Sequence, residues 1–219
     1  MPERKSRIDG ERTRGKILAA AEHEFTEKGY ELASVREISR RAGVNMALAN
    51  RYFGSKEGLY RIVAKRLFGD LGEPMTCLPD KAVDEASWRD AIREWVDDFL
   101  FMTLPTEPAQ AACAALFRHE VTRPTKFHAE FQRDFGKPVY DSLRNLLARA
   151  IKDETQLKLW TTSVWAQVSV YALADTVWHA SFRPAGVGVR DWAAQVRDHI
   201  CANLFASVKF PRKGFATSS

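Results

Sequence analysis

Residues 34–60 read SVREISRRAGVNMALANRYFGSKEGLY, and this stretch decides the fold. Ser34 and Glu37 have the spacing of a capping box, in which the serine oxygen accepts from the amide three residues on and the glutamate reaches back. Val35, Ile38 and Ala42 then fall on one face of a short helix. Gly43 ends that helix by supplying a backbone conformation that is costly for other residues, and Val44 fills the space behind the turn. A second short helix follows from about Met46 to Tyr52, and Ser55 caps a third from Lys56 to about Phe68. Two short helices across a tight glycine-containing turn make a helix-turn-helix. Its second helix offers Asn45, Ala47, Asn50 and Arg51, small or polar groups that fit a major groove without clashing.

Towards the N-terminus, Ile17, Leu18, Ala21 and Phe25 recur at helical spacing and predict a helix over 12–28, stopped by Lys28-Gly29. Residues 1–10 are polar and basic and read as a flexible arm. Its Arg4, Lys5 and Arg7 reach a minor groove or remain in solvent. Towards the C-terminus, Gly69, Gly72, Pro74 and Pro79 cluster in a composition break at 69–86. That places a small domain over 1–66 and a larger one over 67–219. Beyond the break, helices are expected near 87–103, 108–121, 125–135, 138–152, 156–183 and 189–208, with prolines at their boundaries. No β pattern of comparable strength occurs, so the fold class is all-α: a three-helix N-terminal domain followed by a larger helical domain.

The charge supports this division. The chain has 219 residues and a net charge of +5. Residues 1–66 carry 15 lysines and arginines against nine acids, while the remainder is nearly neutral. A basic N-terminal third is either a phosphate-binding footprint or a solvated basic surface. Three well-separated cysteines, Cys77, Cys113 and Cys201, argue against a disulfide framework and fit a reducing cytoplasm. No signal peptide or membrane span is visible. The five histidines form no metal motif, and neither a phosphate loop nor a G-x-S-x-G elbow is present. No enzyme, metal or cofactor is therefore expected.

The runs Ala42-Gly43-Val44-Asn45 and Tyr52-Phe53-Gly54-Ser55-Lys56-Glu57-Gly58-Leu59, with Glu27-Lys28-Gly29-Tyr30 before them, resemble the TetR family of regulators over about residues 12–66. The segment Arg118-His-Glu-Val-Thr-Arg-Pro124 is similar to a CecR-like subgroup of that family. Three positions depart from the usual pattern: Ala49 and Asn50 stand where leucine and tyrosine are common, and Ser39 where alanine is usual. The resemblance implies a sequence-specific transcriptional regulator, a repressor released from a palindromic operator by a small effector. It implies a recognition helix over 45–52, with DNA contacts from Ser34, Asn45, Met46, Ala47, Asn50, Arg51, Tyr52 and Lys56. Ser34 serves equally well as a plain cap, and Met46 and Tyr52 as partial core. A helical adaptor that binds protein partners and lacks specific DNA binding is the other class compatible with the sequence.

In the C-terminal domain, Trp95, Phe99, Phe117, His119 and Phe131 are candidates to line a pocket for an apolar or aromatic effector. Aromatic groups at helical spacing also serve simply as core. Helices 156–183 and 189–208 are apolar around more than one face, which suits packing on their own core and on a second copy. The resemblance implies a homodimer there, with Trp165, Val168, Tyr171, Ala172, Val196, Ile200 and Leu204 as interface candidates.

Overall fold

Apolar residues at three- and four-residue steps produce helices throughout the described chain, and no strand occurs among the described residues. The computed structural model describes residues 2–76, 84–104, 108–177 and 183–211, with side chains except at 2–7, 70–76, 108, 109, 172 and 174–177. The helices are α1 (Pro2–Leu32), α2 (Val35–Ala42), α3 (Met46–Phe53), α4 (Lys56–Thr76) and α5 (Glu85–Thr103). They continue as α6 (Pro108–Thr122), α7 (His128–Phe131), α8 (Lys137–Leu147), α9 (Glu154–Val177) and α10 (Val189–Ser207). A single wide π turn over Gln132–Gly136 joins α7 to α8. None of the described helices is long and apolar enough to cross a membrane.

Several local expectations change. The N-terminal arm is helical from Pro2, because proline is well placed at a first helical position, where its missing N–H has no partner to lose. Gly29 (φ 72°, ψ 172°) breaks helical geometry within α1, although the Ala33 N–H still donates to its carbonyl at 3.2 Å. Gly69, Gly72 and Pro74 do not end the following helix, since α4 runs on to Thr76. Pro74 lies in that last turn, where its missing N–H forgoes one bond to the carbonyl four residues back. The Ser34–Glu37 capping box does not form. The Ser34 side chain makes no cap bond, and Glu37 pairs with Arg40 instead. The buried Glu24 takes over the reciprocal role, accepting the Ser34 N–H at 3.3 Å.

The chain groups into two compact units: Met1–Leu71 with Ala111–Phe131, and Gly72–Gln110 with Gln132–Ser219. The composition break placed the boundary after residue 66, whereas in space a mid-chain segment joins the N-terminal helices. The first unit's aromatic core shows why. Tyr30 meets Phe25, Tyr60 and Phe127 with ring centroids 6.4, 5.0 and 5.0 Å away, and Tyr60 lies 5.3 Å from Phe127. Phe127 supplies the cover that α1 and α4 leave incomplete.

Polar bonds fix the same junction. Glu120, buried on α6, accepts from the Tyr60 hydroxyl and, at 2.8 Å, from the Thr125 hydroxyl. Burial, then the bond to Glu120, raises the Tyr60 pKa well above the ordinary tyrosine value. Lys126 donates to Glu57, and Arg61 makes a two-pronged bond to Glu130 at 2.8 and 2.9 Å. Glu57, Tyr60 and Arg61 occupy one face of α4 at three- and four-residue spacing, so the α6–α7 corner is bonded along that face.

In the second unit, α5 contributes Trp88, Ile92, Trp95, Val96 and Phe99, each fully buried. Both tryptophans satisfy their indole N–H, to the Leu146 carbonyl and to the Ser142 hydroxyl, each at 2.9 Å. Burial pushes the Cys201 thiol in this unit up to about 11 and that of Cys113 in the first up to about 12, which keeps both unreactive. Cys77 lies outside the described residues.

Candidate nucleic-acid interface

The turn between α2 and α3 follows from two residues. Gly43 adopts the left-handed conformation (φ 69°, ψ 33°), and the next amide, of Val44, donates to the Ser39 carbonyl at 3.0 Å. Asn45 then caps α3, its side-chain oxygen accepting from the Leu48 N–H at 2.7 Å. That bond fixes the start of α3 and leaves the Asn45 side-chain NH2 to donate outward.

Helix α3 turns Ala49 and Phe53 into the unit and leaves Met46, Ala47, Asn50, Arg51 and Tyr52 exposed. Met46 is 52% exposed, which removes the alternative of a core role. Tyr52, at 37%, is partly held, since its hydroxyl lies close to Gly10 of α1. Within α2, Ile38, Ser39 and Ala42 form the buried face, while Val35 is only half-buried.

The link from α3 to α4 requires glycine. A Cβ at Gly58 would stand 2.4 Å from the Phe53 carbonyl oxygen, which belongs to rigid backbone. Ser55 caps α4 as expected, its hydroxyl accepting from the Gly58 N–H at 3.2 Å. Lys56 donates to the Glu31 carbonyl at 3.0 Å and sits 4.6 Å from the Tyr30 ring centroid. An ammonium group has three donors, so this anchoring leaves donors for a phosphate. Ser34 is exposed in extended backbone, with its hydroxyl unused by the helix it precedes. The predicted contact residues thus share one unit, and all are exposed except the half-buried, anchored Lys56.

The pocket candidates separate. Trp95 and Phe99 stack at 5.5 Å in the core of the second unit, against Trp165. Phe117 and Phe131 belong to the first, where Phe131 packs on Phe68 at 4.9 Å. His119 is committed to the fold: its Nε2 lies 3.0 Å from the Thr26 carbonyl, and its ring covers Gly29.

Among the dimer candidates, Val168, Val196, Ile200 and Leu204 are buried within the single chain. They fill its own core and leave no surface for a second copy. Trp165 and Tyr171 are half-buried, and the Ala172 side chain lies outside those described. Sequence reasoning also missed Glu24, Glu120 and Lys126, whose importance depends on partners distant in the chain.

A glycine-turned helix pair, held in a basic unit with a polar, exposed second helix, defines a helix-turn-helix DNA-binding protein. Two family models match the chain: bacterial regulatory proteins of the tetR family over residues 17–63, and the C-terminal domain of the HTH-type transcriptional dual regulator CecR over residues 88–206. The chain belongs to the TetR family of transcriptional regulators, with a CecR-type C-terminal domain, and is a regulator and no enzyme. The HTH-type transcriptional dual regulator CecR of Shigella flexneri is 26% identical over 177 residues, 76% of this chain and 78% of that protein. The HTH-type transcriptional activator FasR of Mycolicibacterium smegmatis is 38% identical over 63 residues, 29% of each chain. A solved transcriptional regulator from Rhodococcus sp. Rha1 has a TM-score of 0.68 at 18% identity, covering 90% of this chain and 98% of its own. NalD of Pseudomonas aeruginosa, the secondary repressor of the MexAB-OprM multidrug efflux pump, has a TM-score of 0.64 at 20% identity, covering 92% and 98%.

Proposed function

We propose that the chain is a homodimeric repressor that reads a palindromic operator and is released from it by a small apolar or aromatic effector. The observation that carries the DNA reading is the outward face of α3, where Asn45, Met46, Ala47, Asn50 and Arg51 are exposed while Ala49 and Phe53 anchor the helix from behind. Asn50 suits adenine and Arg51 suits guanine or a phosphate. Ser34, Tyr52 and Lys56 hold the backbone and set the register.

A single short helix reads few base pairs, so two copies related by a two-fold axis match a palindrome. The dimer surface we assign is the exposed stripe of α9, with Leu159 at 58% and Val170 at 47% exposure and Ser163 and Ala166 between them. Exposed Ala202 and Ala206 extend it on α10. The spacing from 159 through 163, 166 and 170 keeps one helical face, and small residues allow close helix approach.

Release requires an effector that binds the DNA-incompetent state more tightly than the competent one. The bonds from Glu57, Tyr60 and Arg61 to residues 120–130 support α4 as the element that moves, because a shift of α6 or α7 pulls on it directly. Tilting α4 changes the separation of the two recognition helices.

The test is selection of bound sites from a random duplex library, then titration at several salt concentrations, with Arg51→Ala as a control. Enrichment of a palindrome, a steep salt dependence and loss in the variant are expected. No enriched sequence, with weak non-specific binding only, would overturn the reading in favour of a helical adaptor.

A further inference from the structure

Lys126 stands far from the helix-turn-helix in sequence, in the turn between α6 and α7. Within the first unit, however, its ammonium lies against the start of α4, bonded to Glu57. It sits 5.8 Å from the centroid of the Tyr30 ring, the ring that Lys56 approaches at 4.6 Å. Two cations near one ring centroid are no more than about 10 Å apart, within a few phosphates along a DNA strand. The Lys126 side chain is 56% exposed, and Arg123 in the same turn is also exposed.

The turn that carries them is rigid. Phe127 is buried against Tyr30 and Tyr60, and the Thr125 hydroxyl donates to the buried Glu120 while accepting the Phe127 N–H at 3.1 Å. The lysine is therefore presented from a fixed base at little ordering cost on binding.

We infer that the α6–α7 turn forms part of the DNA-contacting surface, with Lys126, assisted by Arg123, holding phosphates next to the one held by Lys56. Glu57 orients Lys126, and the lysine's remaining donors face the phosphate. The contact carries no base information. It strengthens binding uniformly across sequences and ties operator occupancy to the position of the turn. The inference rests on the DNA-binding reading above.

The experiment measures affinity for the selected operator at a series of salt concentrations, for wild type and for Lys126→Ala, Lys126→Arg, Glu57→Gln and Arg51→Ala, with melting temperatures alongside. Lys126→Ala is expected to weaken binding about threefold to tenfold at low salt and to reduce the log–log salt slope by about one. Lys126→Arg keeps the slope. Glu57→Gln tightens binding, because it removes a negative charge beside the DNA. If the pair is merely structural, Lys126→Ala and Glu57→Gln lower the melting temperature alike and leave the slope unchanged, which overturns the inference. Wild type binding an operator through Arg51 with no slope change at Lys126 refutes this inference alone. Absence of any specific operator removes the function reading and this inference together.

Discussion

Ser39 offers a substitution whose direction runs against the usual effect of altering a buried residue. The side chain is 3% exposed on the inner face of α2, and its hydroxyl has no hydrogen-bond partner among the described residues. An unsatisfied buried hydroxyl costs about 1–3 kcal/mol, because the folded state never replaces the bond lost from water. Ser39→Ala removes that cost, and alanine's helix preference adds roughly 0.5 kcal/mol. The lost packing around one oxygen offsets a little of this, leaving a gain of about 1–2 kcal/mol. The Ser39 carbonyl still receives the Val44 N–H, so the turn is preserved. For a chain of this size the gain corresponds to about 2–8 °C in melting temperature. Thermal and urea unfolding at one fixed protein concentration would read it, with operator affinity measured in parallel and expected to stay unchanged. An equal or lower melting temperature would show that the hydroxyl is satisfied in solution, and the reasoning would fail.

Tyr60→Phe deprives the buried Glu120 of a donor and should cost about 2 kcal/mol, read by urea unfolding. Because the folded state raises the Tyr60 pKa, that contribution is intact below the unfolded value of about 10 and fades as pH rises above it. The wild type should therefore lose stability above that pH more steeply than the variant. Asp98 is half-buried on α5, its carboxyl pushed up to about 6 by burial and then by Glu94 and Asp97. Its contribution to stability is full below the ordinary carboxylate range and is lost as pH rises through about 6. Asp98→Asn should stabilise the protein at pH 7 by about 1 kcal/mol after allowing for solvent screening, and this difference should shrink towards pH 4. A pH-independent difference would count against it. Val170→Arg, on the exposed face of α9, should yield a folded monomer in sedimentation analysis with helical content retained. A variant that stays dimeric would move the interface elsewhere.

The helix-turn-helix was legible because its determinants are local. Gly43 must turn, Asn45 and Ser55 must cap, and Ile38, Ala42, Ala49 and Phe53 must recur at helical spacing. Most of the proposed contact residues are local in the same sense, being those left on the outer face of α3, whereas Ser34 and Lys56 stand at the starts of α2 and α4. Buried acids escaped notice because Glu24 and Glu120 find partners through tertiary packing. The nearer Glu37 matched the capping pattern, yet preferred Arg40. The assignment of Val168, Val196, Ile200 and Leu204 to a dimer face shows another limit: periodicity identifies an apolar face without saying whether the chain's own core or a second copy covers it. In the same way, Trp95, Phe99, Phe117, His119 and Phe131 are all aromatic or ring-bearing, but sequence spacing did not reveal that they divide between two units.

The grouping of Ala111–Phe131 with the N-terminal helices bears on how this protein can be taken apart and recombined. A fragment ending at residue 66 would lose Phe127 from the Tyr30–Tyr60 cluster, the acceptor of the Tyr60 hydroxyl, and both ion pairs along α4. The portable cassette is therefore discontinuous. A hybrid regulator that borrows this operator specificity must also import the α6–α7 corner, or supply a corner that fits the same aromatic seat. Exchange of specificities among relatives by a single crossover near residue 66 would be selected against by folding before it was ever tested on DNA.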